Sequence, residues 1–328
     1  VKVLVIGGTR FVGYLLAWRL IAAGHEVTLL NRGTSPDPFG GRVQRIRADR
    51  TTPAFGAALR DLRFDATVDF AAYVRADAEG LVAALGVRAG HIVFISSGQV
   101  YLVRDQVPRR EAGSVEADAD GPVMARPEGA MDQEEWDEGI GKREVEAALV
   151  HSGLPATRLR IPMVNGERDH YRRAEAYLYR LLDGGPVLLP DGGTARTRHV
   201  YGLDVARAIV DLLGKPEAIG QAFNLAQRET PTVRELVEHL RQRLGARSEI
   251  VAVATNVIEQ RGLDVRALSP FSTRWMSFID PGHAERTLGL AHTPLPRYLD
   301  AMVASFLAHP PATPPPGYAQ RERECAAV

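Results

Sequence analysis

Short apolar runs alternate with stretches of helical periodicity along the first half of the chain. Val3–Ile6, Val27–Leu30, Val43–Arg47, Ala66–Phe70 and His91–Ile95 read as strands, and Thr157–Ile161 as a further one. Between them, Phe11–Ala23, Asp77–Leu85 and Lys142–His151 repeat their apolar residues three and four apart, as helices with one buried face do. The first of these closes at Gly24. Apolar strands alternating with helices predict βαβ units, hence an α/β fold whose parallel sheet is covered on both faces. Further along, "RHVYGLDVARAIVDLL" passes from a strand or loop into a helix, and "AFNLA" is a short strand. "TPTVRELVEHLRQRLG" opens with Thr232 and Glu235 in capping-box spacing and closes at Gly245. No internal repeat is visible.

The first strand runs into "GGTRFVG". Gly7 permits a tight turn, and Gly13, six residues on, lets the next helix approach the sheet. The helix N-terminus then offers unpaired N–H groups and a positive dipole end to a pyrophosphate. This strand, turn, helix and second strand sit where a doubly wound Rossmann sheet needs them to bind a dinucleotide through Gly7, Thr9, Arg10, Phe11, Val12 and Gly13. The second strand ends in "LLNRG". An acidic residue there would accept bonds from a ribose 2′-hydroxyl. Asn31 and Arg32 instead remove the repulsion toward a 2′-phosphate and add a cation, which favours NADP while leaving NAD possible. Arg10, in place of the usual middle glycine, can extend toward the same phosphate. Asp49 and Arg50 follow the third strand, where Asp49 can meet the adenine edge or simply form a turn.

Composition narrows the class of protein. The 328 residues carry 40 basic and 40 acidic side chains, and this balance argues against a general nucleic-acid binder. The single cysteine, Cys325, excludes a disulfide framework within one chain. The first strand is entered at once, without a charged-then-apolar leader, and no apolar run nears about 18 residues. The expectation is a cytoplasmic protein with no membrane segment. Glu111–Glu138 is strongly acidic and reads as an insertion or solvated loop between two strands. The scattered histidines show no metal-ligand spacing.

These blocks resemble the extended short-chain dehydrogenase/reductase superfamily, also called the NAD-dependent epimerase/dehydratase family. "GGTRFVG" is similar to an atypical branch that holds the chloroplast stem-loop-binding proteins and bacterial relatives. "FDATVDFAAY" looks like that family's fourth strand with its cofactor-lining end, Ala71, Ala72 and Tyr73. "HIVFISSGQVY" looks like the fifth strand with the serine motif, and "TRLRIPMVNGE" like the strand and loop beyond it, with Ile161 and Glu167 where prolines are usual. The resemblance implies a sheet domain at 1–165 with 198–227 returning to it, a smaller C-terminal α/β substrate domain at 166–197 and 228–308, and a Pro-rich tail at 309–328 that reads as an extended arm. It also implies a homodimer paired through helices near 76–87 and 139–152.

The family's chemistry uses a serine, a tyrosine and a lysine, the last two spaced Tyr-x-x-x-Lys on one helix. The ammonium lowers the phenol's pKa so that it can pass a proton to or from a substrate oxygen. By this resemblance Ser97 stands at the serine position, beside Ser96 on the cofactor-lining strand end, and Lys142 stands at the lysine position, where it can also hold cofactor ribose hydroxyls. Four residues before Lys142 is Glu138, not tyrosine, and Glu138 is the catalytic candidate that would have to imitate the phenol there. A free glutamate is an ionised acceptor at neutral pH and a poor acid. Glu138 and Lys142 also fit an ordinary i,i+4 surface pair. Tyr73 and Tyr101, at the ends of the fourth and fifth strands, are the phenols able to substitute. On the substrate side Arg168, Arg172, Arg196 and Arg198 can clamp a pyrophosphate or carboxylate, or can serve as paired surface charge. The implied activity is that of an NADP(H)-dependent oxidoreductase, epimerase or dehydratase on a sugar-like or nucleotide-linked small molecule. The alternative is a cofactor-sensing or RNA-binding protein that kept the fold without the chemistry.

Overall fold

The computed structural model describes residues 1–35, 37–103, 126, 133–272 and 277–327. The first part of the chain runs β1 (Lys2–Ile6), α1 (Phe11–Ala22), β2 (Glu26–Asn31), β3 (Val43–Arg47), α2 (Pro53–Leu59), β4 (Ala66–Asp69), α3 (Arg75–Leu85), β5 (His91–Ser97) and α4 (Gln99–Leu102). It continues with α5 (Gln133–His151), β6 (Ala156–Ile161), β7 (Val164–Asn165), α6 (Arg173–Leu182), β8 (Val187–Pro190), β9 (Val200–Tyr201), α7 (Gly202–Leu212) and β10 (Ala222–Asn224). The remainder is α8 (Val233–Leu244), β11 (Ile250–Val253), α9 (Thr255–Gln260), α10 (Val265–Leu268), α11 (Gly282–Leu288), α12 (Leu295–Ala308) and α13 (Arg321–Cys325).

Seven parallel strands form one sheet in the order β3-β2-β1-β4-β5-β6-β10. The strand order reverses between β1 and β4, which leaves a crevice above their C-terminal ends, the place where such sheets hold ligands. Alternation along β1 divides the core between the two faces. Val3 and Val5 pack with Leu16 and Leu20 of α1 and Ile209 of α7, while Leu4 and Ile6 pack with Phe55, Leu81 and Leu149 of α2, α3 and α5. Each fully buried leucine contributes about 2 kcal/mol by removal from water. A second core joins Tyr177 and Leu181 of α6, Leu189 of β8, Leu236 and Leu240 of α8, and Tyr298 and Phe306 of α12. Beside it lies the parallel pair β8–β11. No helix among the described residues is long and apolar enough to cross a membrane.

The expected strands and helices of the first half are present, with ends moved by a few residues. α5 is the larger departure, because it begins at Gln133 and not at Lys142. Its first turn carries Glu134 and Glu135, whose charge suits the positive end of a helix. The last six residues of the acidic segment are therefore helical, whereas 111–125 and 127–132 lie outside the described residues. The capping box of α8 is formed, with Glu235 N donating to Thr232 Oγ1 at 3.1 Å and Thr232 N to Glu235 Oε2 at 2.7 Å.

The tail corrects the expectation of an extended arm. Arg180 of α6 and Glu324 of α13, both fully buried, form a two-point ion pair at 2.7 and 2.6 Å. Arg321 grips Asp183 at 2.5 and 2.6 Å, and Tyr318 donates to the same carboxylate at 2.6 Å. Paired charges and an α-helical turn hold the segment against α6, and the prolines only shape the path to it.

Candidate functional site

The glycine turn lies at the crevice. Gly7 adopts φ +87°, open to glycine and strained for other residues, and its N–H donates to Leu30 O at 3.1 Å. A Cβ at Gly13 would stand 2.8 Å from both Gly7 O and Gly8 Cα, so α1 meets the turn backbone to backbone. Gly8, which the sequence reading passed over, is equally constrained. Its Cβ would lie 2.8 Å from Val5 Cγ1 and 2.9 Å from Leu29 Cδ2. The double Gly-Gly was the signal for it. Arg10 is the N-cap of α1, but its side chain makes no capping bond, and the first turn holds no acidic residue. The N-terminal N–H groups and the dipole are therefore left to an anion. Thr9 and Arg10 border the turn, whereas the Phe11 and Val12 side chains are buried in the core and leave only their backbone to serve a ligand.

The tip of β2 gathers cations. Arg10 Nε donates to Ser35 Oγ at 3.2 Å, which carries its guanidinium from the turn toward the loop after β2. Asn31 Oδ1 accepts from Gly33 N at 2.9 Å and from Arg47, while its Nδ2 is buried without a hydrogen-bond partner among the described residues. That orphaned donor, beside the exposed Arg32, fits the adenosine end of a dinucleotide. Asp49 accepts from Thr51 N and Oγ1 at 3.0 and 2.7 Å. These bonds, with Arg32 nearby, hold its carboxyl below the usual range, and they make it a turn former first. Arg50, beside Asp49 after the third strand, is engaged within the protein. Its guanidinium bonds Asp69 at 3.0 and 3.1 Å and Asp77 O at 2.9 Å, tying β4 and α3 together. Asp69 in turn accepts from Ala71 N at 2.8 Å and so shapes the end of β4.

At the opposite end of the crevice stand β4, β5 and α5. Ala71, Ala72 and Tyr73 leave β4 together. Ala72 is buried, and Tyr73 is 53% exposed. Gly139 and Gly141 let α5 press against this region: a Cβ at Gly141 would come 2.0 Å from Tyr73 O, and one at Gly139 would come 2.5 Å from Val103 Cγ1. The close approach delivers Lys142 to the strand ends. Its Nζ donates to Ala72 O at 2.8 Å and Ile95 O at 3.0 Å, and lies 4.3 Å from the centroid of the Tyr73 ring. Burial lowers its pKa to about 8, against the opposing pull of Glu138. Glu138 is one turn before Lys142 and half-buried, so the pair is not the open surface contact that its spacing also allowed.

Ser96 and Ser97 face opposite ways, as adjacent strand residues must. Ser97 Oγ, half-buried, accepts from Gln99 N at 3.2 Å, and Ser97 pairs in register with Ile161 of β6. Ser96 lies on the other face of the strand from Ser97. It is buried and donates to Glu146 Oε1 at 2.6 Å. Glu146 also binds Arg160 at 3.0 and 2.6 Å. Tyr101 joins this network and is lost as a free phenol. Its hydroxyl donates to Asn224 Oδ1 at 2.9 Å and accepts from Arg160 Nη1 at 2.9 Å. Glu146 was legible in principle, since its position four residues after Lys142 puts it on the same helix face.

The four candidate substrate arginines are not gathered around one point. Arg168 lies over the Tyr14 ring, 4.0 Å from its centroid, close to the glycine turn. Arg172 pairs with Glu175 at 2.5 Å and donates to Pro314 O and Thr313 O at 3.0 and 2.6 Å. Arg196 is exposed and donates to Thr230 O at 3.1 Å. Arg198 is buried and donates to Ile279 O at 3.1 Å. Arg172 gives two of its donors to backbone carbonyls of the tail, whereas Arg198 donates to Ile279 O and Arg228 O and keeps a buried Nε with no hydrogen-bond partner among the described residues. The sequence reading also missed Ser277, which reaches the serine motif from the C-terminal part of the chain. A Cβ at Gly98 would come 2.1 Å from Ser277 Oγ.

A sheet of this order with a glycine turn at its switch point defines a nicotinamide-dinucleotide fold. The model of the NAD dependent epimerase/dehydratase family matches residues 3–85 and 139–226, and the chain belongs to that family. Among curated proteins it is 28% identical over 293 residues to 2'-dehydrokanamycin reductase of Streptomyces kanamyceticus, covering 87% of this chain and 78% of that one. It is 27% identical over 239 residues to the chloroplast stem-loop binding protein of 41 kDa b of Arabidopsis thaliana. That match takes in 69% of this chain and 58% of the plant protein's length. Among solved structures, UDP-glucose 4-epimerase of Thermotoga maritima, with UDP-glucose, has a TM-score of 0.70 at 19% identity over 94% of this chain and 99% of that one. WbmH of Bordetella bronchiseptica, in complex with NAD+, has a TM-score of 0.69 at 20% identity over the same shares. At such identities these two structures show a common fold.

Proposed function

We propose that the chain is an NADP(H)-dependent oxidoreductase acting on a carbonyl or secondary hydroxyl of a sugar-like, nucleotide-linked small molecule. The observation that carries this reading is the convergence of the glycine turn and the buried Lys142 on one crevice. At one end of the crevice the N-terminus of α1 is uncapped by a side chain. At the other, Lys142 and Ser97 stand at the ends of β4 and β5. The nicotinamide, when bound, donates or accepts a hydride at a substrate carbon. The open N–H groups of α1 would hold the pyrophosphate, Asn31 Nδ2 the adenosine ribose, and Lys142 the ribose next to the nicotinamide. Ser97 would orient the substrate oxygen.

Preference for NADP rests on the charge at the tip of β2. Arg10, Arg32 and Arg47 are exposed there, and Asn31 stands where a carboxylate would repel a 2′-phosphate. A relative named as a reductase, with structural neighbours named as a UDP-sugar epimerase and an NAD+ complex, supports redox work on a sugar-like compound. The relative named for stem-loop binding supports the rival reading of an RNA-binding protein, against which stands a formal net charge of +0. Titration calorimetry separates the two. The expected result is saturable binding of NADPH, tighter than NADH by about tenfold, or about 1.4 kcal/mol. No heat with either cofactor, together with retention of a stem-loop RNA on a filter at low salt, overturns the proposal.

A further inference from the structure

Position 138 lacks the family's phenol, yet a phenol does lie beside the lysine. We propose that Tyr73 is the proton donor of this site, passing its hydroxyl proton to the oxygen of a substrate carbonyl as that carbonyl is reduced. The inference rests on the cofactor-dependent reading above. It adds which residue moves the proton and in which direction the chemistry is built to run.

Three observations carry it. First, Tyr73 follows Ala71 and Ala72 at the end of β4, the strand flanking the switch point, and Lys142 Nζ lies 4.3 Å from its ring centroid while bonded to Ala72 O, the carbonyl just before it. The pairing of ammonium and phenol that the family builds within one helix is here built between α5 and the β4–α3 loop. Second, the contact is enforced by backbone. Gly141 lies so close to Tyr73 O that any side chain there would collide with it. Asp77 Oδ2 accepts from Tyr73 N at 2.8 Å and fixes the loop from the other side. Third, the phenol is available. Tyr101 has both its donor and its acceptor capacity engaged by Asn224 and Arg160. The Tyr73 ring is 53% exposed, and its hydroxyl has no hydrogen-bond partner among the described residues.

The surrounding charges set the direction. Glu138 of α5, Tyr171 of the loop before α6, Asp69 of β4 and Asp77 of α3 all face Tyr73, and burial followed by these groups raises its pKa above the ordinary phenol value. Lys142 is the cation in contact with the ring, while Arg50 is occupied by Asp69 and Asp77. A phenol kept protonated is a donor and a poor base. In the reductive direction, the carbonyl carbon gains a hydride with its electron pair from the reduced nicotinamide, which is left oxidised. The carbonyl oxygen takes the phenol proton, and the phenolate is reprotonated from solvent at its exposed edge. In the oxidised state the positive nicotinamide ring, if it stands against Tyr73, favours the phenolate; the neutral reduced ring does not.

That contrast is the test. Full-length protein labelled with 13C at tyrosine Cζ is titrated from about pH 7 to about 10.5, a range that brackets the ordinary phenol value. Spectra are taken with no cofactor, with saturating NADP+ and with saturating NADPH, and Tyr73→Phe identifies the resonance. The expected result is a Tyr73 signal that barely titrates without cofactor or with NADPH, and whose midpoint falls by at least about one unit with NADP+, a tenfold change in acidity. Tyr171→Phe, which removes an exposed neighbour, leaves that response in place. Equal behaviour with both cofactors, or none with either, overturns the assignment while binding persists. Fluorescence of bound NADPH in the same samples reports binding separately, and its absence removes the cofactor reading and this inference together.

Discussion

The two halves of this molecule are stabilised on different length scales. In the sheet half, each piece of the crevice is short and local, although the pieces themselves meet across the fold, as Lys142 Nζ does with Ala72 O. Gly7 and Gly13 belong to one turn, Lys142 and Glu146 to one helix, and Asp69, Ala72 and Tyr73 to one strand end. In the C-terminal half, the fixing contacts join segments far apart: Arg180 with Glu324, Arg198 with Ile279 O, Tyr298 with Gln227 Oε1 at 2.5 Å, and Arg172 with Thr313 O. Parallel strands with crossover helices need only apolar runs and glycines at the turns. A small two-stranded unit beside three helices has little sheet of its own and depends on buried polar clasps. Close backbone approach therefore weighs more in the sheet half, and buried side-chain pairing weighs more in the C-terminal half.

This division can be broken by experiment. The largest effect belongs to the tail clasp. Glu324→Ala leaves the Arg180 guanidinium, 0% exposed, without its counter-charge, and should cost about 3–5 kcal/mol of stability in urea unfolding. NADPH affinity in the absence of urea should stay within about twofold, because no part of the clasp touches the crevice; a parallel collapse of affinity would mean that the halves are not separate. Next comes Gly13→Val, which drives a side chain into Gly7 O and Gly8 Cα. NADPH affinity measured by fluorescence should fall by more than about a hundredfold, close to 3 kcal/mol, with the C-terminal half still folded by near-ultraviolet circular dichroism. Retention of affinity would show that the dinucleotide does not use this turn. The smallest effect is the most selective. Arg10→Gly should weaken NADPH by about tenfold and NADH by less than about twofold, as expected for loss of one charge-assisted contact to a phosphate. Equal losses would assign Arg10 to the turn or the diphosphate.

How much of the site was legible follows the same line. The glycine turn could be read because it is a spacing rule over a few residues, and Gly7 and Gly13 meet the backbone demands that the rule implies. The alternation of a strand already sends Ser96 to the face opposite Ser97. Arg50 and Tyr101 sit at the positions their neighbours predicted, but Asp69 and Asn224 had claimed their polar atoms, and those partners are 19 and 123 residues away. Arg172 shows the same effect in the C-terminal half. An arginine-rich stretch looks like an anion site until the carbonyls that satisfy it are known.

By itself the sequence determined the alternation of strands and helices in the first half of the chain, the glycines at the turn into α1, and the absence of a phenol four residues before Lys142. Hydrophobic periodicity and backbone sterics act over a few residues and are written directly in the chain. Only the tertiary structure decided which polar groups remain free. It closed the tail onto α6, occupied Tyr101, and set Tyr73 against Lys142 across two elements. The physical reason is that a buried donor or acceptor must find a partner wherever the fold brings one, and the leftovers of that pairing make the site.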